Sequence, residues 1–428
     1  MGCVILQLSG LILAIMGYCS NSSAGIPHNQ ESLASFTVHS GDHQRINTPV
    51  SVDVTGLLSE NRPEQMELVE HTADGTKVVP FQIEADNSVS LLWWVLEGET
   101  PAGTTRTYKL YKKNTGSTFQ SISTEDTGEA IHFLSGEGQK ILAYHYALTP
   151  VPEGVDEIYR RAGYIHPLWS PAGEVLTRIQ PPDHYHHYGI WNPWTHTEFE
   201  GKEIDFWNLI KGQATVVVNG KPMFAGGPVY GQLRSLHQHL VKKDSLSNSD
   251  KVALNEIWDI RVWNQEAQPQ VWLVDFSSTL SCASESPLTI KEYRYQGFGF
   301  RANKNWDDQT AQLITSEGKN KADGNGTRAR WCNVNGPGES GRFGIVFITN
   351  PANYNFPEQL RIWPVGTNEG KENVFVNFNP AQDRDWILEP GHLYTLRYRM
   401  VIYDGDSDHI DAEQYWNDYI NPPMITRQ

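Results

Sequence analysis

The chain has 428 residues, with 34 Lys+Arg against 50 Asp+Glu and a formal net charge of −16. That acidic excess argues against nucleic acid or an anionic membrane surface as partner, because both are held by clustered basic residues that displace counterions. The length accommodates two domains or one large β domain, since domains commonly run about 100–200 residues and β architectures often exceed that.

Residues 1–24 resemble an export signal: an apolar run from Cys3 to Gly17, too short to span a bilayer, leads into small polar residues. The expectation is a periplasmic or secreted protein cleaved near Ser23-Ala24, with lipid anchoring at Cys19 as the alternative. No other apolar run reaches the roughly 18 residues of a membrane helix, so no integral span is expected after signal removal.

From residue 34 the pattern is strand. "RINTPVSVDV" (45–54), "KVVPFQIE" (77–84), "SLLWWVL" (90–96) and "TYKLYKK" (107–113) are short, β-branched or aromatic, and bounded by turn residues. They predict a small N-terminal β-sandwich over 34–127, with the polar stretch 114–129 as linker. In "ATVVVNGKPMF", Asn219-Gly220 between apolar runs predicts a hairpin. In "VALNEIWDIRVW" (252–263) alternate residues are apolar, and "VWLVDFSSTL" (271–280) follows as its antiparallel partner. "HLYTLRYRMVIYDG" (392–405) alternates again. Strands this long predict a large, antiparallel two-sheet supersandwich over 128–428, so the fold class is all-β. One helix is expected near the end, within Asp406–Ile420, with Ala412, Tyr415, Trp416 and Tyr419 recurring at helical spacing. Cys282 and Cys332 are the two cysteines outside the leader; they are either a disulfide or two isolated thiols.

The chemistry-bearing stretch is "QPPDHYHHYGIWNPWTH", Gln180 to His196. Pro181-Pro182 forces an extended approach and removes two backbone donors. If the chain continues as a strand, His184 and His186 share a face; if it coils into a turn, His184 and His187 converge. Histidine suits proton transfer because its ordinary pKa, about 6.5, lies near working pH, and a neighbouring carboxylate fixes its tautomer. His184, His186 and His187 are therefore candidates for base and acid, Asp183 for the orienting carboxylate, and His166 for a further member of the cluster. The same three histidines can instead ligate a divalent metal ion acting as Lewis acid, with Asp205 as a fourth ligand. Trp191 and Trp194 are candidates to stack a sugar ring, whose C–H patches suit flat aromatic faces. Arg178, Arg261, Arg294, Arg301 and Arg361 stand in apolar or aromatic strand contexts, where an arginine either pairs with a carboxylate or offers its fork to a substrate anion. Arg178 and Arg294 are the candidates to neutralise a substrate carboxylate. The GxGxxG, Walker, GxSxG and HExxH patterns are absent, which demotes nucleotide cofactors, serine hydrolysis and zincin chemistry.

The block 161–209 resembles the signature of the bacterial PmoA-like family: His166, Pro167, Ser170, Pro171 and Gly173, then Asp183, His184, His186, His187, Gly189, Ile190 and Trp191, then Gly201, Ile204, Asp205, Phe206 and Trp207. "ARWCNVNG" (329–336) and "NPANYNFPEQLRIWP" (350–364) fit as well, and the similarity runs from about residue 130 to 405. The label evokes a methane oxygenase subunit, which is a multi-span membrane protein; no second apolar span exists here to match it. The resemblance implies instead an exported protein with a galactose-mutarotase-like sandwich and a carbohydrate substrate. Tyr188 stands where the family pattern has arginine, which alters the expected charge preference.

Together these readings predict a carbohydrate-active enzyme of the lyase or dehydratase type, or one that cleaves glycosidic bonds, acting on oligosaccharides that include uronic acids through its histidine cluster. The alternatives are a glycan-binding protein without catalysis, a metal-dependent glycoside hydrolase, and a hydrolase using paired carboxylates such as Glu256 and Asp259, whose spacing puts them on opposite strand faces.

Overall fold

A computed structural model describes residues 31–58, 62–85, 89–113, 118–243, 249–265 and 271–428. The export signal and Cys19 lie outside the described residues.

The described chain is all-β with one α-helix. Near the N-terminus, a five-stranded sheet and the three-stranded sheet Arg45–Asp53, Ser90–Thr100 and Gln82–Ala85 enclose a core of Phe36, Leu68, Leu92, Trp94, Tyr108 and Leu110. The five-stranded sheet includes the chain's last strand, Met424–Arg427, laid antiparallel against Ala34–His39. That short polar strand carries no alternation by which the sequence announces it.

The remaining strands build a nine-stranded and an eight-stranded sheet that share one core, including Phe133, Ile165, Ile190, Trp258, Phe276, Phe298 and Phe347, and a small four-stranded sheet in the order Lys202–Ile204, Thr197–Phe199, Leu288–Ile290, Trp386–Leu388. In the nine-stranded sheet the long strands Tyr230–Val241, Lys251–Trp263, Val271–Cys282 and Tyr394–Asp404 lie side by side. The eight-stranded sheet runs in the order Gln359–Ile362, Phe375–Asn379, Phe298–Arg301, Ile190–Trp191, Tyr164–Leu168, Lys140–His145, Ala130–Leu134, Ser123–Asp126. Among the described residues, no helix is long and apolar enough to cross a membrane.

Three local expectations change. Asn219-Gly220 does not reverse the chain: Ala214–Val218 and Met223–Ala225 both pair with Tyr230–Val241 and run in the same direction along it. Gly220, at φ +84, makes a bulge in one edge strand, because the partner downstream satisfies both segments. The linker reading of 114–129 gives way to a strand at Ser123–Asp126, which edges the eight-stranded sheet. The helix is shorter than its aromatic spacing suggests, Ala412–Ile420, capped by Asp411, whose side chain accepts from the Gln414 amide. Cys282 and Cys332 are both free thiols.

Candidate functional site

Four strands of the eight-stranded sheet bring the site together. Arg301 ends Phe298–Arg301 and pairs with Phe375 at the start of the neighbouring strand. The Arg301 amide bonds the Gly189 carbonyl, and the Gly189 amide bonds the Arg178 carbonyl. Ile190, Phe300 and Val376 turn into the shared core, while Trp191 and Phe375 turn to the opposite face. There they join Tyr164, Tyr188, Trp207 and Trp363 in a separate aromatic cluster. The period of two along each strand thus creates an aromatic floor outside the main core.

The histidine run sits on that floor as a double turn. The His184 amide bonds the Pro181 carbonyl at 2.8 Å and the His187 amide bonds the His184 carbonyl at 2.9 Å. The Gln180 amide closes the loop on the His187 carbonyl at 2.8 Å, while its side chain donates to the Tyr188 hydroxyl at 2.6 Å. Gly189 makes the exit: at φ +58, an added Cβ would meet the Ile165 carbonyl oxygen at 2.3 Å.

Turning brings all three imidazoles together. One ring nitrogen from each of His184, His186 and His187 lies within 4.8 Å of the others. His184 and His187 stack with centroids 4.7 Å apart, and His186 sits edge-on to both at 5.4 and 4.9 Å. Beneath them, His187 contacts Trp191 at 4.9 Å and Phe375 at 5.1 Å, and His184 contacts Trp363 at 4.8 Å.

Asp183 orients the group. Its Oδ2 is 3.1 Å from His184 Nδ1 and accepts from Arg301 Nη2 at 2.8 Å. Burial pushes the Asp183 carboxyl up, but the bonds from His184 and Arg301 outweigh it and hold the group at about 2. An ionised carboxylate can only accept, so His184 Nδ1 carries a proton toward Asp183 and Nε2 is the ring nitrogen turned away from it. Burial, reinforced by the neighbouring imidazoles, lowers His186 to about 3 and His187 well below the ordinary range. Both are neutral at pH 7, as metal ligands must be, and too weakly basic to serve well as proton acceptors.

The other candidates are placed differently. His166, on Tyr164–Leu168, bonds Thr177 Oγ1 through Nδ1 and is not part of the three-imidazole group. Asp205 is 2% exposed and fully engaged: Oδ1 accepts from the Trp207 and Asn208 amides, Oδ2 from Asn208 Nδ2 and Lys211 Nζ. It shapes the turn before Trp207 and is not free to be a ligand. Trp191 and Trp194 offer no ring face to a sugar, because neighbouring aromatics cover both: Trp191 packs against His187, Trp207 and Phe375 in the floor, and Trp194 packs in the main core against Trp386. Arg178 is paired with Glu372 at 2.5 Å, so its charge is already taken. Arg294 is exposed and lies over Tyr293 and Tyr295. Asp259 pairs with Arg234 on the surface while Glu256 is buried, so they do not form a carboxylate pair.

Sequence reasoning missed three features. Arg301, one of several candidate arginines, is the residue that fixes Asp183, and it lies over Trp363 at 4.4 Å. Glu256 is 1% exposed and accepts from His239, Asn192, Trp258 and Ser278. Beside it, His237 bonds the Tyr144 hydroxyl at 2.6 Å. Glu256 shares parity with Leu254 and Trp258 on its strand, which is the signal that could have marked it as inward. Arg161 is 1% exposed, and its Nε and Nη1 have no hydrogen-bond partner. A cavity of about 1020 Å³ lies elsewhere, between Gln82–Ala85 and the strands around Arg234, Asp259 and Arg261, and none of Asp183, His184, His186, His187 and Arg301 lines it.

A family of unknown function, DUF6807, matches residues 132–417. The PmoA-like label has no support in that match. No curated protein matches the chain. Among solved structures, a protein in the glycosyl hydrolase family 38 from Enterococcus faecalis aligns at 8% identity over 92% of this chain and 47% of its own, with a TM-score of 0.46. This chain therefore spans about half the length of that protein. A galactose mutarotase related enzyme from Lactobacillus acidophilus aligns at 8% identity over 67% of this chain and 98% of its own, with a TM-score of 0.30.

Proposed function

For a chain that belongs to DUF6807, a family of unknown function, activity has to be argued from its own side chains, and we propose an exported carbohydrate-active enzyme built around a three-histidine divalent-metal centre. The observation that carries this reading is the convergence of His184, His186 and His187 within 4.8 Å, with Asp183 fixing the tautomer of His184. Zinc bonds to imidazole of about 2.0–2.1 Å require nitrogens roughly 3.4 Å apart, so ring rotation of the order of an ångström closes the group. The Asp183–His184 contact is the carboxylate–histidine arrangement that orients a metal ligand, and Arg301 holds it in turn. A bound metal supplies Lewis acidity toward a substrate oxygen or a water, for glycosidic cleavage or elimination.

The sugar assignment rests on the rim. His184 and His186 are partly exposed, and Tyr185 lies between them, half-buried and 5.6 Å from Tyr159. That pair takes over the stacking role expected of Trp191 and Trp194.

The test incubates the protein with neutral and acidic oligosaccharides and follows mass, with and without chelator. Cleavage or loss of water that stops on chelation and returns with zinc supports the metal reading, as does its absence in His186→Ala. Turnover that ignores chelator leaves acid/base work to the imidazoles themselves, with the Asp183–His184 pair as its seat. Binding without any change in mass returns the protein to the glycan-binding class.

A further inference from the structure

Arg161 is a buried guanidinium whose Nε and Nη1 meet no acceptor among the described residues. It follows Arg160 beyond the short 3-10 turn Glu157–Tyr159, and its backbone bridges Thr149. Its side chain is 1% exposed, yet Nε and Nη1 meet no acceptor. A buried guanidinium ordinarily has a carboxylate or carbonyls around it, because an unsatisfied buried charge is among the costliest features of a fold. Glu256, the buried carboxylate whose charge acts on it, is not hydrogen-bonded to it: both Glu256 oxygens accept from His239, Asn192, Trp258 and Ser278 instead.

The surroundings place Arg161 beside the candidate site. The Thr149 amide bonds the Arg161 carbonyl and the Thr149 hydroxyl bonds that of Tyr164 in the aromatic floor. The Tyr159 ring lies 5.6 Å from Tyr185 in the histidine turn, and a Cβ added at Gly163 would meet His237 at 3.0 Å. The Arg161 charge is felt by Tyr188, His186 and His237. Burial lowers its own pKa to about 10, opposed in part by Tyr188 and Glu256, so it remains charged at neutral pH. Arg301 adds to the pattern: Nη2 is bonded to Asp183 and the Glu372 carbonyl, whereas Nε and Nη1 are buried without partners. The histidine site therefore has two arginines with unused donors at its margin, and two of its three imidazoles are neutral.

We propose that Arg161 is a specificity-determining residue that binds an anionic substituent, a carboxylate or a sulfate ester, on the sugar presented to the histidine cluster. The proposal rests on the reading of that cluster as a substrate site, and it names the substrate class: an acidic rather than a neutral saccharide. Guanidinium recognises both anions through paired N–H donors. A donor left unpaired in the free protein discriminates strongly, because only the anionic ligand satisfies it.

The experiment titrates D-glucuronate, glucose 6-sulfate and D-glucose into the full chain, zinc-free and zinc-loaded, comparing wild type with Arg161→Met and Arg161→Lys. The expected result is at least tenfold tighter binding of one or both anionic sugars than of glucose, reduced to twofold or less in Arg161→Met and partly kept in Arg161→Lys. Whichever anion binds tighter identifies the substituent. Melting temperature is read alongside: Arg161→Met should melt at the same temperature or higher, since it removes an unsatisfied buried charge, whereas a structural arginine would leave a less stable protein. Equal binding of all three sugars, binding of none, or a preference that survives in Arg161→Met overturns the proposal. Zinc binding is measured separately, so a protein that prefers acidic sugars but takes up no zinc removes the metal reading and leaves Arg161 its role.

Discussion

Acid should destabilise this protein through His237, and the size of the effect follows from its surroundings. His237 is 1% exposed, on the inward face of Tyr230–Val241, with Nε2 on the Tyr144 hydroxyl and Nδ1 3.9 Å from Glu256. Burial lowers its pKa from 6.5 to about 4; the Glu256 carboxylate pulls upward, while His239 and Arg161 push down. In the unfolded chain the imidazole takes up a proton below about 6.5, whereas in the folded protein it resists until about 4. Between those values the unfolded state binds more protons, so stability is present above the upper value and is lost as pH falls toward the lower one. At about 1.4 kcal/mol per pH decade, on the order of 2 kcal/mol is withdrawn between about pH 8 and about pH 5. Glu256 has the same sign lower down: burial raises it, but His239, His237 and Ser278 outweigh that and hold it at about 2, so its contribution is lost below its ordinary 4.5. Urea unfolding of wild type and His237→Gln at the two pH values isolates the histidine. The variant should show a pH-induced loss smaller by about 2 kcal/mol. An identical loss in both proteins, or a His237 ring proton resonance that titrates near 6.5, would refute the reasoning.

Other outcomes are fixed by the same contacts. Asp183→Asn should weaken zinc binding about 10–100-fold, the usual effect of losing a ligand-orienting carboxylate, while His186→Ala should abolish it; calorimetry with zinc alone checks both. Trp194→Ala should cost about 3–5 kcal/mol of stability and leave zinc binding intact, because Trp194 belongs to the main core and not to the histidine floor. Iodoacetamide followed by peptide mapping should label the partly exposed Cys282 before the buried Cys332, with no disulfide-linked peptide.

The strands were legible because their alternation is long and uninterrupted, as in Lys251–Trp263 and Val271–Cys282, which pair from Leu254↔Cys282 to Trp263↔Leu273. Where pairing depends on a distant partner, local pattern misled: Asn219-Gly220 has hairpin chemistry, yet Tyr230–Val241 takes both flanking segments. The histidine block was visible because unusual residue types crowd into one turn. Which of its aromatics face solvent was not, because Trp191 and Trp194 look alike in sequence, and only sheet register puts one in the floor and the other in the core. Arg161 left no trace for a different reason: a lone sequence does not show that a buried arginine has donors without an acceptor.

The aromatic floor explains how so tight a cluster of imidazoles is kept in one geometry. Three histidine rings free in solvent would each sample several rotamers, and ordering them would cost entropy on every binding event. Here His187 is wedged among Trp191, Trp207, Trp363 and Phe375, and His184 is fixed from one side by Trp363 and from the other by Asp183. Arg301 ties these constraints together, lying over Trp363 while bonding Asp183. The tryptophans therefore contribute by holding rings and not by touching substrate, which predicts that Trp363→Ala damages zinc affinity more than Asp183→Asn does. Trp363 supports both His184 and His187, whereas Asp183 orients His184 alone. Parallel zinc titrations of the two variants decide it: equal or weaker damage from Trp363→Ala would mean that the hydrogen bond, and not the packing, sets the ligand geometry.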